Sequence, residues 1–462
     1  MTVNEAAALN KVPLRVANPQ RIPAQRYYDK EFFELEREHL WPHVWQMACR
    51  LEEIPEIGDY AAYKILDKSV IIVRTKAGVK AFANACRHRG VQLVMEHGNC
   101  KTAGFICPFH GWRWNMEGQN TFVYGKRIFD EENLQAAELN LVPVRVELWG
   151  GCAFINLDDN APPLLACLGP VAERMDARNV ENLRVEGWWQ FELPTNWKLA
   201  MEAFMEGYHV MRTHPQLFQA LTEDKVGYFG ADVTGKVPLK EETADEYLEK
   251  TITQLGRLHT GMGGMVLRSE IEIAERLRRE GVPDDISAVS KIFGRRMKEE
   301  IYAEGQAKGL PVPDLNAAEE KHPYYSVEYM FPHYFLLPYY SGMSSYRIRP
   351  LTPETCLFEL WSLAFLPDEG YQRITQPTIL PHDSAEIPEI PRQDYSNLPR
   401  QQLGLHAKGF EYMRLSGQME GMISNYQRLI DGYLAGLDHA KLGKAQNVVN
   451  QAFNGPIFDL GF

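Results

Sequence analysis

The fold is decided by the stretch from Cys86 to Trp112, which reads Cys86-Arg-His88 at its start and Cys107-Pro-Phe-His110-Gly-Trp112 at its end. Each of these two short segments offers one cysteine thiolate and one histidine imidazole as metal ligands. A set of two cysteines and two histidines commonly binds zinc. Zinc fingers usually place both cysteines in one loop and both histidines in the other, whereas each segment here holds one of each. The mixed order favours a [2Fe–2S] cluster with two cysteines on one iron and two histidines on the other.

The residues on both sides of this stretch predict β-strands. Segments 60–65, 69–74 and 79–83 alternate apolar and polar residues or contain runs of β-branched ones, and segment 150–157 is a later buried strand. Short strands separated by polar turns are typical of a small all-β domain. We place this domain at about 45 to 160.

A second motif lies downstream and reads Glu206-Gly-Tyr-His209-Val-Met-Arg-Thr-His214-Pro215. The run before it, 196–205, has apolar residues at helical spacing and predicts a buried helix. On a regular helix the two histidines would lie about 140° apart. Because Pro215 biases His214 away from the α region, we expect the helix to loosen there and the two rings to converge.

Two imidazoles near a carboxylate form a ferrous iron site when one more carboxylate arrives from elsewhere in the chain. Taken alone, the pair His209 and His214 is weak evidence for a metal site, because histidines that are simply hydrogen-bonded within a core are commoner than metal ligands. The presence of the cysteine and histidine loops upstream makes the iron site the favoured interpretation.

Composition and charge exclude several classes of protein. A chain of 462 residues is long enough for two or three domains. Its net charge of −12 argues against nucleic acid or an anionic membrane surface as a partner. No apolar run reaches spanning length, and the N-terminus lacks the basic and apolar regions of an export signal. The seven cysteines are odd in number and scattered, so we expect a reduced, cytoplasmic setting.

The rest of the chain predicts a second, larger domain. Segment 24–40 interleaves glutamates with apolar residues and predicts an amphipathic helix that ends near residue 41. Segment 187–193 and four segments between 326 and 365 predict a meander of antiparallel strands. The charged residues at about 217–321 predict a helical insertion. Its Gly/Met run, 261–265, either belongs to that solvated insertion or lines the mouth of a substrate pocket.

Together these motifs resemble the large (α) subunit of Rieske non-haem iron oxygenases, an aromatic-ring-hydroxylating dioxygenase family. The order of the motifs matches, including Cys-Pro-x-His-Gly-Trp, Asn196-Trp-Lys198 and Glu-x-x-His-x-x-x-x-His. The resemblance implies an α+β fold with an N-terminal all-β Rieske [2Fe–2S] domain. It also implies a catalytic domain with a large antiparallel sheet flanked by helices, in a helix-grip-like arrangement.

The resemblance also implies a division of the chain. The N-terminal helical segment, 1–44, would belong to the catalytic domain, and the Rieske domain would span 45–160. The catalytic non-haem iron domain would span 161–462 and contain the helical insertion at about 217–321.

Residue by residue, the resemblance assigns roles at two metal sites. The implied [2Fe–2S] ligands are Cys86, His88, Cys107 and His110, and the implied Fe(II) ligands are His209, His214 and Asp394. Glu206 matches the catalytic acid that bridges the cluster of one subunit to the iron of its neighbour. Many members carry Asp at that position. Ala203 stands where the family often has Asn, which removes one polar group near the site.

The third iron ligand is the least constrained of these assignments. The carboxylates beyond the predicted sheet are Asp383, Glu386, Glu389 and Asp394. Asp394 is chosen because residues 393–402 look similar to the family pattern at this position. An isolated aspartate can also serve only to cap a helix or turn.

The implied activity is that of the terminal oxygenase component of a multicomponent system. It would use O₂ and electrons from NAD(P)H to hydroxylate an apolar aromatic or polycyclic compound at a mononuclear Fe(II). No Gly-x-Gly-x-x-Gly motif is present, so an external reductase, with or without a ferredoxin, must supply the electrons. The family geometry implies a homotrimer, or a trimer of α with β subunits.

Two other functions stay open at this stage. A Rieske monooxygenase would perform O- or N-demethylation or aliphatic hydroxylation with the same iron. A Rieske electron carrier without oxygenase activity, or a zinc-stabilised binding protein, is a more remote alternative. Neither of the latter requires Glu206, His209 and His214, so the motif disfavours them.

Overall fold

The computed structural model describes residues 2–217, 243–281, 285–451, 453 and 455–462. The chain begins with α1 (Val3–Leu9), β1 (Arg21–Pro23) and α2 (Lys30–Leu35). None of the helices in the described chain is both long and apolar enough to cross a membrane.

The single helix predicted for 24–40 is broken into shorter pieces. The side chain of Asp29 accepts a hydrogen bond from the Phe32 N–H at 2.8 Å, so α2 begins there and 24–27 forms a separate 3₁₀ turn. Residues 36–40 continue as a π-helical turn. This turn directs Glu36 into the interior, where it is completely buried beside Lys198. An amphipathic helix would turn its glutamates towards solvent, and Glu36 departs from that pattern.

The next part of the chain is β-rich, and its strands agree with the predicted ones within a few residues. Its elements are β2 (Gln46–Arg50), β3 (Asp59–Ile65), β4 (Lys68–Thr75), β5 (Gly78–Ala83), β6 (Gly98–Asn99), β7 (Phe105–Ile106), β8 (Arg113–Trp114), β9 (Asn120–Phe122), α3 (Ala136–Leu139), β10 (Pro143–Trp149) and β11 (Cys152–Asn156). Within the described residues, the strand order of the larger sheet is β2-β11-β10-β5-β4-β3-β6, and β7, β8 and β9 form a small separate sheet. The cysteine and histidine loops share a small core with Phe82, Phe105 and Trp114.

A second large sheet follows, with helices around it. The elements are α4 (Leu164–Leu168), α5 (Pro170–Asp176), β12 (Arg184–Leu193), α6 (Trp197–Glu202), α7 (Val210–Thr213), α8 (Ala244–Met262), α9 (Arg268–Glu280), α10 (Ile286–Ala307), α11 (Leu315–Lys321), β13 (Glu328–Met330), β14 (Tyr334–Pro338), β15 (Gly342–Thr352), β16 (Thr355–Ala364), β17 (Thr378–Ile379), α12 (Glu389–Leu405), β18 (Tyr412–Arg414), α13 (Gly421–Leu434) and α14 (His439–Asn450). In the described chain the strand order is β13-β14-β15-β16-β12-β17, and β18 pairs with β1. The meander predicted for 326–365 is present. The predicted insertion is helical where it is described, and 218–242 lies outside the described residues.

Side chains of β15 contact the catalytic helices on one face and the β-rich region on the other, because successive side chains point to opposite faces of a sheet. Tyr346 faces the catalytic helices and stacks on Phe335, with ring centroids 4.7 Å apart. Arg347, on the other face, donates to the Met47 carbonyl at 3.2 Å and pairs with Glu359 at 2.6 Å. The large sheet is therefore fastened to β2 by a buried guanidinium, and its opposite face is left for the iron site.

Candidate metal centres

The two cysteine and histidine loops meet at one end of the β-rich region. Cys86 and His88 follow β5, and Cys107 and His110 lie between β7 and β8. The Cys107 N–H donates to the Trp112 carbonyl at 2.8 Å, which closes the second loop. The ring centroids of His88 and His110 are 4.7 Å apart, and Trp112 stacks on His88 at 4.9 Å. All four predicted cluster ligands are thus brought together.

The donor set of these loops fits a [2Fe–2S] cluster. The two cysteines are only 4% and 2% exposed, whereas the two imidazoles lie further out and are partly accessible. The Nδ1 atom of His88 is buried and has no hydrogen-bond partner among the residues that the structure describes, which is costly unless a metal ion occupies that position. All seven cysteines are free thiols, and all lie in the described part of the chain. The two buried thiolates can bind one iron atom of the cluster, and the two partly exposed imidazoles can bind the other.

A second group of ligands converges where α7 meets α12. His209 caps the start of α7, and His214 follows its end. His214 has φ −121° and ψ 57°, outside the α region, as expected from the proline after it. Its Nε2 atom lies 3.0 Å from Oδ1 of Asp394, and Nε2 of His209 lies 3.6 Å from the same oxygen. One ligand atom from each of the three residues therefore falls within 4.8 Å of the others.

The opposite nitrogen of each imidazole is held by a hydrogen bond. Nδ1 of His209 lies 2.7 Å from Oε1 of Glu206, and Nδ1 of His214 lies 2.6 Å from Oε1 of Gln393. An acceptor at Nδ1 places the ring proton there and leaves Nε2 free to bind a metal. Burial opposes protonation of His209, but the hydrogen bond and charge of Glu206 outweigh it and raise the pKa of His209. A ferrous ion would take the place of a proton on Nε2, and its ligands would then be two neutral imidazoles and one carboxylate.

Of the four carboxylates considered from sequence, the structure brings only Asp394 to the histidines. Asp394 lies inside α12 and is buried, so it does not cap that helix. Asp383, Glu386 and Glu389 are all exposed. Gly261 of the Gly/Met run lies against Ile390 of α12, the helix that carries Asp394. Whether this run lines the mouth of a substrate pocket stays a prediction.

A cavity of about 490 Å³ opens beside the iron ligands. Its polar wall includes Glu202, Glu206, His209, Asp394 and Glu420. Its apolar wall comes from α6, α12, β18 and α13 and includes Leu199, Leu398, Met413 and Ile423. Both Glu202 of α6 and Gln393 of α12 were missed by sequence reasoning. The sequence offers only their positions as a signal. Glu202 lies about one helical turn before Glu206, and Gln393 directly precedes Asp394.

On the sheet side of the iron ligands the structure holds a cluster of aromatic rings. Phe204 lies 4.6 Å from Phe335 and 5.1 Å from Tyr346, measured between ring centroids. Phe358 lies 4.7 Å from Tyr395, the neighbour of Asp394 in sequence. The hydroxyls of Tyr346 and Tyr395 are buried and have no hydrogen-bond partner among the described residues. This side of the site is therefore a closely packed apolar wall.

Comparison with known families matches both parts of the chain. The family described as "Ring hydroxylating alpha subunit (catalytic domain)" matches residues 180–436. The family described as "Rieske [2Fe-2S] domain" matches residues 44–123.

Curated relatives are similar over part of their length. The alpha subunit of 2-aminobenzenesulfonate 2,3-dioxygenase from Alcaligenes sp is 34% identical over 213 residues, covering 45% of this chain and 53% of the relative. The carnitine monooxygenase oxygenase subunit of Escherichia coli is 32% identical over 215 residues, which are 45% of this chain and 57% of the relative. The glycine betaine monooxygenase oxygenase subunit of Pseudomonas aeruginosa is 32% identical over 204 residues, which are 44% of this chain and 46% of the relative. The chain thus spans about half the length of the curated relatives it matches.

Solved structures share the fold. A naphthalene 1,2-dioxygenase mutant bound to phenanthrene superposes with a TM-score of 0.62 at 19% identity, covering 97% of this chain and 98% of the other. The quaternary ammonium Rieske monooxygenase in complex with L-carnitine superposes with a TM-score of 0.57 at 20% identity, covering 90% and 97%. At this level of identity the likeness concerns the fold alone.

Proposed function

We propose that this chain, which belongs to the ring-hydroxylating oxygenase α-subunit family and carries a Rieske domain, is the terminal oxygenase of a monooxygenase system for a nitrogen-bearing compound. Membership confirms the predicted fold class and the predicted cofactors, a Rieske [2Fe–2S] cluster and a mononuclear iron. The chain is therefore an oxidoreductase. The substrate, the electron donor and the assembly belong to the proposal.

The observation that carries the proposal is that ligand atoms of His209, His214 and Asp394 all lie within 4.8 Å of one another. A two-histidine, one-carboxylate iron site keeps coordination positions open and activates O₂ when electrons are supplied. We assign His209, His214 and Asp394 to the Fe(II), and Cys86, His88, Cys107 and His110 to the cluster. Gln393 and Glu206 fix the orientation of the two imidazoles.

The nature of the relatives favours monooxygenation of a quaternary ammonium compound. Two of the three relatives described above are named for monooxygenation of carnitine or glycine betaine. Aromatic faces attract quaternary ammonium groups. Phe204, two residues before Glu206, is partly accessible, whereas Phe335 and Tyr346 behind it are fully buried. We therefore place a substituted ammonium group of the substrate against Phe204.

The second candidate is dihydroxylation of an aromatic ring, the function expected first from sequence. It is favoured by the relative named for an aminobenzenesulfonate dioxygenase and by the same aromatic cluster, because aromatic rings also stack on each other. Both candidates use the same iron and the same electrons. They differ in whether one or both atoms of O₂ enter the product.

Electron delivery in this proposal requires a second copy of the chain. The outer face of the Rieske domain exposes basic residues, among them Arg89 and Lys126, together with Phe109, which is 57% exposed. The cavity beside the iron ligands carries Glu206 and Glu420 and opens outward. A basic, partly apolar face and an acidic cavity are complementary. We propose a trimer in which each cluster faces the Glu206 of a neighbouring copy, fed by an external reductase.

The division of the chain at 44/45 and 160/161 and the cytoplasmic location stay predictions. The family matches at 44–123 and 180–436 support the division, and they leave its boundaries open.

The test is turnover under ¹⁸O₂ with a surrogate reductase, NADH and a panel of carnitine, glycine betaine, 2-aminobenzenesulfonate and naphthalene. We expect one labelled oxygen atom in the aldehyde fragment that separates from the amine, reduced in situ to the alcohol before its oxygen exchanges with water. Two labelled atoms in a ring diol would establish the second candidate instead. A His209→Ala variant with an intact cluster serves as the matched control and should form no labelled product. Equal turnover by this variant would contradict oxygenation at the proposed iron site.

A further inference from the structure

Glu202 is a buried carboxyl group on the wall of the cavity beside the iron ligands. It ends α6, is 5% exposed and shares the cavity wall with Glu206 and His209. Both of its oxygens lie 3.0 Å from the hydroxyl of Tyr27, and its Oε1 accepts from Nε2 of Gln427 at 2.5 Å. Both donors are neutral groups.

Several other buried carboxylates lie beside a cation or a histidine. Four have an arginine or lysine at ion-pair distance: Glu36 with Lys198, Asp431 with Arg26, Glu328 with Arg174, and Glu359 with Arg347. Glu206 and Asp394 lie beside the histidines of the iron site. Glu202 has no such partner among the described residues. A buried carboxylate without a cation is costly in its charged form, so it tends to keep its proton.

The groups that face Glu202 do not reverse this tendency. They come from several elements: Lys198 on α6, Arg26 and Tyr27 before α2, Tyr426 on α13, and Glu206, His209, Asp394, Arg414 and Glu420 around the cavity. The two nearest cations, Lys198 and Arg26, are each held at 2.6 Å by another carboxylate. Burial raises the pKa of Glu202 to about 7, although the hydrogen bonds from Gln427 and Tyr27 act to lower it.

We propose that Glu202 is a proton-holding residue of this oxygenase, delivering a proton to the cavity shared with Glu206 and recovering it from solvent in each turnover. This inference rests on the proposed function. In that reaction a substrate C–H group, one O₂, two electrons and two protons give a C–OH group and one water molecule. Glu202 supplies one of the two protons: its O–H bond breaks, the proton passes to water in the cavity, and the carboxylate is left.

The position of Glu202 suits this role because the cavity connects it to the iron ligands. If the proposed trimer forms, the Rieske domain of a neighbouring copy covers the cavity and limits the entry of bulk water. A carboxylic acid already inside can then provide a proton at the moment when an electron arrives. The Tyr27 hydroxyl stabilises the carboxylate that remains.

The test begins with infrared pH titration of the holoenzyme with both metal centres loaded. We expect a protonated-carboxyl band with a midpoint near pH 7 that is absent from Glu202→Gln. In Tyr27→Phe the midpoint should move to higher pH, because a hydrogen bond that favours the carboxylate is lost. A band that is unchanged in Glu202→Gln overturns the inference.

The second measurement is single turnover as a function of pH, in water and deuterium oxide. We expect Glu202→Gln to keep its iron, its cluster spectrum and its cluster reduction, but to form product about a hundredfold more slowly, with loss of the pH dependence near 7. The matched control is Glu270→Gln, a buried carboxyl that bonds to Ser341 in a different cavity and should keep the wild-type profile. A wild-type profile and isotope effect in Glu202→Gln also overturn the inference. Absence of product from the wild type on the whole panel contradicts the proposed function instead.

Discussion

Nδ1 of His209 lies 2.7 Å from Oε1 of Glu206, and the other oxygen of that carboxylate accepts the His209 backbone N–H at 2.9 Å. One acidic side chain thus fixes both the ring and the backbone of a metal-ligating residue. It does so from the wall of a cavity that opens towards the outside of the subunit. Glu206 therefore positions a candidate metal ligand, and in the proposed trimer the same residue would face the cluster of a neighbouring copy.

The first prediction concerns this residue. Glu206→Gln keeps one acceptor oxygen for His209 but removes the negative charge, so we expect iron and cluster to remain loaded while electron transfer from cluster to iron slows. Stopped-flow measurement of cluster reoxidation in the presence of substrate and O₂ checks this. Glu192→Gln, an exposed carboxylate on β12, is the control. Loss of the visible cluster spectrum in Glu206→Gln would instead mean that the residue is structural.

The second prediction separates the third iron ligand from the sequence alternatives. Asp394→Ala removes the carboxylate that lies 3.0 Å from Nε2 of His214, so we expect loss of bound iron and of oxygenation with an unchanged cluster spectrum. Asp383→Ala, an exposed carboxylate from the same region, should keep its iron. The iron content of both variants is measured by mass spectrometry. Full iron loading of Asp394→Ala would mean that another residue supplies the third ligand.

The third prediction concerns the acceptor behind His214. Gln393→Leu leaves Nδ1 of His214 without its partner at 2.6 Å, so the ring is free to rotate or change tautomer. We expect the affinity for Fe(II) to fall by about 10 to 100-fold. Gln393→Glu keeps an acceptor at that position and should retain most of the affinity. Titration of the iron-free enzyme with Fe(II) measures both variants, and equal affinity in Gln393→Leu would contradict a positioning role.

The fourth prediction is a pH dependence of stability. Asp158 lies 2.8 Å from Nδ1 of His43 and 3.3 Å from Nε2 of His439. Burial raises the pKa of Asp158, but the hydrogen bond from His43 and other contacts outweigh burial and lower it overall. A lowered pKa means that the stabilisation is complete above the unfolded value of about 3.9 and is lost as pH falls through the folded value.

Asp158→Asn should therefore be less stable than wild type by about 1 to 2 kcal/mol at pH 6. The difference should shrink below about pH 4. Thermal unfolding of both proteins from pH 3 to 7 provides the measurement. A difference that stays constant over this range would show that the charge of Asp158 is not involved.

The fifth prediction tests the buried pair of Lys198 and Glu36, whose side chains have no exposed surface. Lys198→Met leaves the Glu36 carboxylate buried without a cation, so we expect a loss of about 3 to 5 kcal/mol. Adding Glu36→Leu removes the uncompensated charge and should restore most of the stability. Calorimetric unfolding of the single and double variants distinguishes this from a packing defect, for which the second substitution would bring no recovery.

Much of the fold was readable from sequence because its signals are local. The strands of the β-rich region and of the meander follow from alternation and β-branching over a few residues. The helix predicted for 24–40 failed because a side chain inside it, Asp29, starts a new helix, and because Glu36 finds a buried partner on α6. A hydrophobic pattern cannot distinguish a glutamate that faces solvent from one that pairs with a lysine distant in sequence.

The chemistry of both metal centres was indicated by the sequence, because each pair of candidate ligands (Cys86 with His88, Cys107 with His110, His209 with His214) is separated by five residues or fewer and needs only one loop or turn to converge. The likeness to the family pattern at 393–402 already favoured Asp394 over three other carboxylates, and the structure brings it to 3.0 Å from Nε2 of His214. The surroundings of Glu202 depended on the tertiary structure, since its partners Tyr27 and Gln427 lie 175 and 225 residues away. Whether a buried acid meets a cation or a neutral hydroxyl depends on packing between elements, which no local pattern specifies.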